Sequence, residues 1–257
     1  MKYPILLVHG IALKDYKFFK AFGKIERTLQ NQGYKVYTSN QDGFGTIENN
    51  ALQLKKQINE ILEKENIDKI NIIAHSKGGL DSKYLIENLE MENKIASLTT
   101  LCTPFKGSII ATKLYNLPNL FKVPLSKIIN FYYRIFKDQN PDSLKVCEEL
   151  QKHDNIEIET LNIPNSIYCQ SYSTTLKRKR DDFIMGIPLF FSRLYEDENT
   201  DGMVSNNSSK FENYKGNCIN SSVSHADIVD FMPDKKTKEK VYSFYIDLCI
   251  SLEKKGF

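Results

Sequence analysis

The chain has 257 residues, 41% hydrophobic and 26% charged, with a net charge of +3 at pH 7. That is enough chain for one full α/β core and describes an ordinary globular composition. The net charge is too small to imply a polyanion partner, and no apolar run approaches the roughly 20 residues needed to cross a bilayer.

"PILLV" (4–8) is a short apolar run ended by His9-Gly10, as in a buried strand feeding a loop. Apolar residues at 18, 19, 22, 25 and 29 then predict an amphipathic helix over 16–32, stopped by Gly33. "YKVYT" predicts a second strand, and the polar stretch 39–48 a loop. Ala51, Leu54, Ile58, Ile61 and Leu62 give the next helix its apolar face. The run "KINIIA" reads as a strand, Gly78–Leu89 as a helix, and "IASLTTLC" as another strand. This alternation predicts a largely parallel sheet covered by helices on both faces. The rhythm breaks over 109–138, a stretch dense in Leu, Ile, Phe and Tyr and interrupted by Pro118 and Pro124. Strands are expected again at "SIYCQSYS" (166–173) and near "FFSRLYE", before a closing helix carrying Val241, Phe244, Tyr245, Leu248 and Leu252. No domain boundary interrupts 1–257.

The basic cluster "LKRKR" (176–180) lacks aromatic residues and runs into Asp181 and Asp182, which reads as a solvated loop and not a nucleic-acid site. Five scattered cysteines form no CxxC pair and no metal or disulfide framework. The N-terminal residues lack a charged segment, apolar segment and cleavage site in that order, so the expectation is a cytoplasmic protein, or a secreted one shorn of its leader.

The chemistry is concentrated in "NIIAHSKGGLDSKYL" (71–85), where Ser76 stands on a strand-to-helix corner between small Ala74 and Gly78. A serine so exposed is a nucleophile if a base and an orienting acid reach it. Of four histidines, His9 precedes the serine, His75 is its neighbour and should point elsewhere, and His153 sits in "QKHDN". His225 in "SSVSHADIVD" remains as the base. Between serine and histidine, "RLYEDENTDGMVS" offers Asp197 and Asp201. Spacing does not separate them, although Asp201-Gly202 is a tight-turn pair. Backbone N–H groups of Lys77 and Ile11 are the expected oxyanion donors.

These segments together resemble the bacterial true lipases of the α/β-hydrolase superfamily, the triacylglycerol lipases of the Pseudomonas and Burkholderia type. The resemblance rests on "KYPILLVHGI", "AHSKGGLDSKYL", "LCTPFKGS", "NTDGMVSNNSSKF" and "SHAD". It implies an α/β-hydrolase fold. The apolar density of the segment at about 109–138, with its two prolines as hinges, then makes it the expected helical lid over the acyl pocket. The alternative is that its side chains pack onto the sheet as core. The resemblance makes Ser76 the nucleophile, Asp201 the acid, His225 the base, and Ile11 and Lys77 the oxyanion donors, with the Lys77 side chain incidental. It also implies a structural calcium ion on Asp181 and Asp227, with Asp182 competing for the first place, and no cofactor for the chemistry itself. The expected substrate is a lipid or other ester, met in solution or at a lipid–water interface. A soluble-ester or thioester hydrolase, acyl transfer to an alcohol, and a non-catalytic lipid-binding relative are the alternatives. The sequence departs from the family at Ala74, at Phe105 where a histidine is usual, and at Asn207 where the family's disulfide cysteine would stand.

Overall fold

A computed structural model describes residues 1–17, 19–152, 163–182, 184–195 and 199–257. Six strands form one wholly parallel sheet: β1 (Ile5–Val8), β2 (Val36–Thr38), β3 (Ile70–His75), β4 (Ile95–Leu101), β5 (Tyr168–Ser173) and β6 (Tyr214–Asn217). Their order across the sheet is β2-β1-β3-β4-β5-β6.

The apolar run of β1 is continuous because both its faces are covered. Ile5 and Leu7 pack with Phe22, Ile25, Val241, Tyr245 and Leu248 on one side. Leu6 and Val8 pack with Leu54, Ile58 and Leu85 on the other. The first layer is built by α1 (Ile25–Asn31) and α8 (Lys235–Lys254), the second by α2 (Ile47–Glu65) and α3 (Lys77–Asn88). Local chemistry fixes the helix ends. Thr46 accepts from Asn49 N–H at 3.3 Å to start α2, and Asn66 ends it in the left-handed region at φ 53°. Asp234 caps α8 through the N–H groups of Lys236 and Thr237.

The helix expected over 16–32 is shorter than its periodicity. Tyr16 and Phe19 bond each other's backbone, and Asp15 accepts from Ala21 N–H at 2.8 Å, so the chain is a loop until α1 begins at Ile25. "FFSRLYE" is not a strand either. Its residues 190–195 belong to α7 (Gly186–Tyr195), where Gly186, Leu189 and Ser192 are buried at helical spacing. Aromatic richness favoured a strand, and the burial period decides for a helix. Among the described residues the last strand is β6.

The segment after β4 forms α4 (Ile109–Tyr115) and α5 (Asn119–Ile135), followed by α6 (Ser143–Glu149). Pro118 stands just before α5, and Pro124 lies within the helix, which runs through it. No helix among the described residues is long and apolar enough to cross a membrane.

Candidate active site

Parallel register brings the ends of three strands together. Val8 pairs with Ala74, and His75 with Leu101, so the loops after β1, β3 and β4 leave the same edge of the sheet. Ser76 occupies the corner after β3 with φ 54° and ψ −131°. That backbone is strained for a residue bearing a Cβ, and it holds the hydroxyl clear of the sheet. Three small residues make the corner possible. A Cβ on Gly10 would lie 2.7 Å from Ser76 Cβ, one on Gly78 would lie 2.4 Å from the His9 carbonyl, and one on Gly79 would lie 2.1 Å from Thr103 Oγ1. Ser76 N–H donates to the Leu101 carbonyl at 2.9 Å, and Thr103 Oγ1 donates to the Ser76 carbonyl at 2.9 Å. The strained corner is thereby held from both sides.

His225 Nε2 lies 2.9 Å from Ser76 Oγ, and His225 Nδ1 lies 2.7 Å from Asp201 Oδ2. The other oxygen of Asp201 accepts from Met203 N–H at 2.9 Å and Val204 N–H at 2.8 Å. The two loops also join directly, since His225 N–H donates to the Asp201 carbonyl at 3.0 Å. An acid so fixed holds the imidazole with Nε2 free to take a proton from the serine. The competing acid Asp197 and the discarded base His153 lie outside the described residues.

Lys77 follows the serine and Ile11 shares its cavity, and neither backbone N–H has a hydrogen-bond partner among the described residues. The N–H of Lys77 is the first of α3, one of those a helix leaves unpaired. Its side chain is far from incidental to the fold. Lys77 Nζ donates to Asp81 Oδ1 at 2.6 Å, with both side chains 1% exposed, and Asn50 Nδ2 donates to the other Asp81 oxygen at 3.0 Å. Burial outweighs this pairing and pushes the Asp81 carboxyl up to about 6.

Two neighbours of the triad escaped sequence reasoning. His75 does not point away, because its ring centroid lies 4.6 Å from that of His225. Burial drives its pKa well below the ordinary histidine value, so it offers His225 a neutral partner. Cys102, at φ 54°, forms with Asp201 and His225 the one group of three metal-ligating side chain types found close together among the described residues. Their proximity arises from strand register, which no local pattern reveals. Phe105 stacks on Phe211 with centroids 4.0 Å apart and packs against the core.

The acids expected to hold a cation, Asp181 or Asp182 with Asp227, have different partners. Asp181 accepts from Arg178 Nε at 2.9 Å. The backbone is extended at Asp182 (φ −146°, ψ 118°), which sends its side chain to the opposite side. Asp182 accepts from Ser224 Oγ at 2.5 Å, and Asp227 from Ser224 N–H at 3.1 Å, so these two acids meet beside the histidine loop. Burial, reinforced by the Asp182 charge, pushes Asp227 up to about 6. A buried acid beside a second acid has the donor chemistry that suits a hard cation.

Ser76 and His225 open into a cavity of about 440 Å³ whose wall is overwhelmingly apolar, with Leu125 and Ile129 of α5, Leu150, Met203 and Val204 among the residues around it. It is large enough for an acyl chain.

Comparison with known proteins accords with this geometry. The model of the alpha/beta hydrolase fold matches residues 3–123. Triacylglycerol lipase 2 of Saccharomyces cerevisiae is 30% identical over 267 residues, covering 91% of this chain and 73% of that protein. The chain belongs to the α/β-hydrolase-fold lipases. A triacylglycerol lipase of Burkholderia plantarii is 37% identical over 117 residues, 43% of this chain, and one of Pseudarthrobacter phenanthrenivorans matches to the same extent. The match spans about a third of each bacterial relative's length, 32% and 35%. In fold, the chain is similar to a metagenomic carboxyl esterase, with a TM-score of 0.68, 13% identity and coverage of 96% of this chain and 76% of the other. The mature Bacillus licheniformis lipase gives a TM-score of 0.61 at 19% identity, covering 90% of this chain and 87% of that one. As a member of this family the chain is a serine-dependent carboxylic ester hydrolase.

Proposed function

We propose that this chain is a lipase that hydrolyses acylglycerol esters, with Ser76, His225 and Asp201 as its triad. The observation that carries the reading is the bonded relay from Asp201 through His225 to Ser76 Oγ, opening into an apolar cavity. Ser76 Oγ attacks the ester carbonyl while His225 Nε2 takes its proton. The oxyanion of the tetrahedral intermediate accepts from the N–H groups of Ile11 and Lys77. His225 passes the proton to the departing alkoxide, leaving an acyl-Ser76 ester. Water, deprotonated by the same imidazole, releases the acid. The names of the yeast and bacterial relatives support acylglycerols as substrates.

The segment 109–138 serves as a lid over the acyl cavity. Leu125 and Ile129 of α5 border the cavity from above, which supports that role. A divalent cation, calcium by its oxygen donors, is held by Asp182 and Asp227. When bound it supplies charge neutralisation between two acids and braces the loop that carries His225; no step of the chemistry runs through it.

The deciding experiment is hydrolysis of p-nitrophenyl esters from acetate to palmitate, with Ser76→Ala in parallel. Turnover of long chains by wild type and none by the variant is the expected result. Turnover confined to short chains makes the protein a soluble-ester hydrolase. Equal inertness of both proteins on every ester overturns the catalytic reading.

A further inference from the structure

Among the described residues, twenty large apolar side chains are exposed, and sixteen of them lie in α4, α5, α7 or the short links beside them. On α5 the outward face carries Leu120 at 77%, Phe121 at 62% and Phe131 at 61% exposure. A lid whose only apolar face covered the substrate would hide these groups. α5 instead has apolar residues on both sides, the inner set at the cavity and the outer set in water.

Charge is distributed over the same surface. Residues 109–137 contain Lys113, Lys122, Lys127, Arg134 and Lys137 and no acid. The stretch 176–198 adds Lys177, Arg178, Lys179, Arg180 and Arg193. Its acids are Asp181, Asp182 and the trio 196–198 that follows α7. Ten cations against five acids leave these two stretches more positive than the whole chain at +3, so the rest of the molecule is net negative. Asp181 is occupied by Arg178, and Asp182 by Ser224. Lys127, Arg134, Lys177 and Arg180 have no acidic partner among the described residues. The two stretches adjoin, since Lys113 Nζ of α4 lies 3.6 Å from the Tyr195 ring centroid of α7.

We infer that this basic, apolar face docks the enzyme onto an anionic lipid surface, with the acyl cavity opening beside it. The inference deepens the lipase reading by naming how the substrate is presented: within a negatively charged interface and not as a neutral droplet. Apolar side chains at an interface enter the acyl boundary, while Lys and Arg around them meet anionic headgroups. Each cation near such a surface strengthens binding about fivefold, and salt screens the gain.

The test uses full-length Ser76→Ala, so that binding is read without turnover. Vesicles of phosphatidylcholine alone are compared with vesicles also containing phosphatidylglycerol, by flotation at low and high salt. Binding to the anionic vesicles should be at least tenfold tighter, by the per-cation gain above, and should fall toward the neutral value in high salt. The combined variant Lys127→Glu, Arg134→Glu, Lys177→Glu, Arg180→Glu should lose that preference while keeping wild-type turnover of p-nitrophenyl acetate in the Ser76 background. Phe121→Ser with Phe131→Ser should weaken binding to both vesicle types. Equal partition onto the two vesicle types, salt-insensitive binding, or wild-type behaviour of the charge-reversed variant overturns the inference. So does a self-associated dimer that buries the face and leaves vesicles unbound. Wild-type turnover of p-nitrophenyl acetate is scored separately, so failure of the lipase reading is not confused with failure of the docking.

Discussion

The elbow around Ser76 and the helices above it solve opposite problems. Ser76, His225 and Asp201 are tied to strand ends, and their spare polar atoms meet backbone N–H groups. Helix α5 has no buried residue at all. The first region stores strain because a packed core surrounds it; the second exposes apolar surface because almost nothing does. Burial is thus concentrated around the triad, and exposed apolar surface on the helix beside its cavity.

That contrast is broken most severely by removing the acid. Asp201→Asn keeps the shape but presents an N–H where the imidazole Nδ1–H should donate, favouring the wrong tautomer. We expect kcat to fall roughly 10⁴-fold with little change in KM, as such substitutions do in other triads. Steady-state rates on p-nitrophenyl butyrate check this, and a loss below tenfold would remove Asp201 from the relay.

Next in size is the buried pair behind the elbow. Lys77→Met leaves Asp81 buried without its cation, which typically costs about 3–5 kcal/mol. Lys77→Met with Asp81→Leu should recover most of that loss, because neither charge is then buried. The pair also sets a pH slope. Asp81, raised from 3.8 to about 6, holds its proton more tightly in the folded state. Its contribution to stability is therefore fully present below about pH 4 and is lost as pH rises through 6. Asp227 is raised to a similar value and acts in the same direction. Denaturant unfolding from pH 4 to 7 should show stability declining over this window, and the double variant should flatten the decline without abolishing it.

A smaller effect is expected at the histidine loop. At a hundredfold excess over Kd, calcium should stabilise the protein by about 2.7 kcal/mol, read as a rise in Tm reversed by EDTA. Asp182→Asn should abolish the rise and Asp181→Asn should preserve it. A rise lost in both variants, or in neither, would remove the Asp182–Asp227 pairing as its basis.

The same division governs what could be read from the chain. Ser76, His225 and Asp201 stand in local patterns: a small-residue corner, an Asp-Gly turn, a lone downstream histidine. The structure brings all three together. Alternation of strands and helices likewise foretold the parallel sheet. The errors fell where tertiary contacts compete with periodicity. Tyr16 and Phe19 bond each other's backbone in a loop, and the aromatic residues of α7 resemble a strand. His75 and Cys102 were invisible as neighbours of the triad because register between distant strands, and not their own surroundings, brings them there.

The smallest effect is the one that separates the two regions most cleanly. Phe131 is 61% exposed on α5, so Phe131→Ser removes little that folding buries. Stability should change by less than about 0.5 kcal/mol. Turnover of a soluble short-chain ester should also be unchanged, because that side chain faces away from the triad's cavity and touches no reacting group. The same residue placed in a packed core would cost about 3–5 kcal/mol on truncation. If chemical unfolding shows a loss of that larger size, the outer face of α5 is packed in solution, and the division between a rigid elbow and an unburied cover fails. A silent substitution means instead that Phe131 contributes little to folding, and that the outer face of α5 is open to another role.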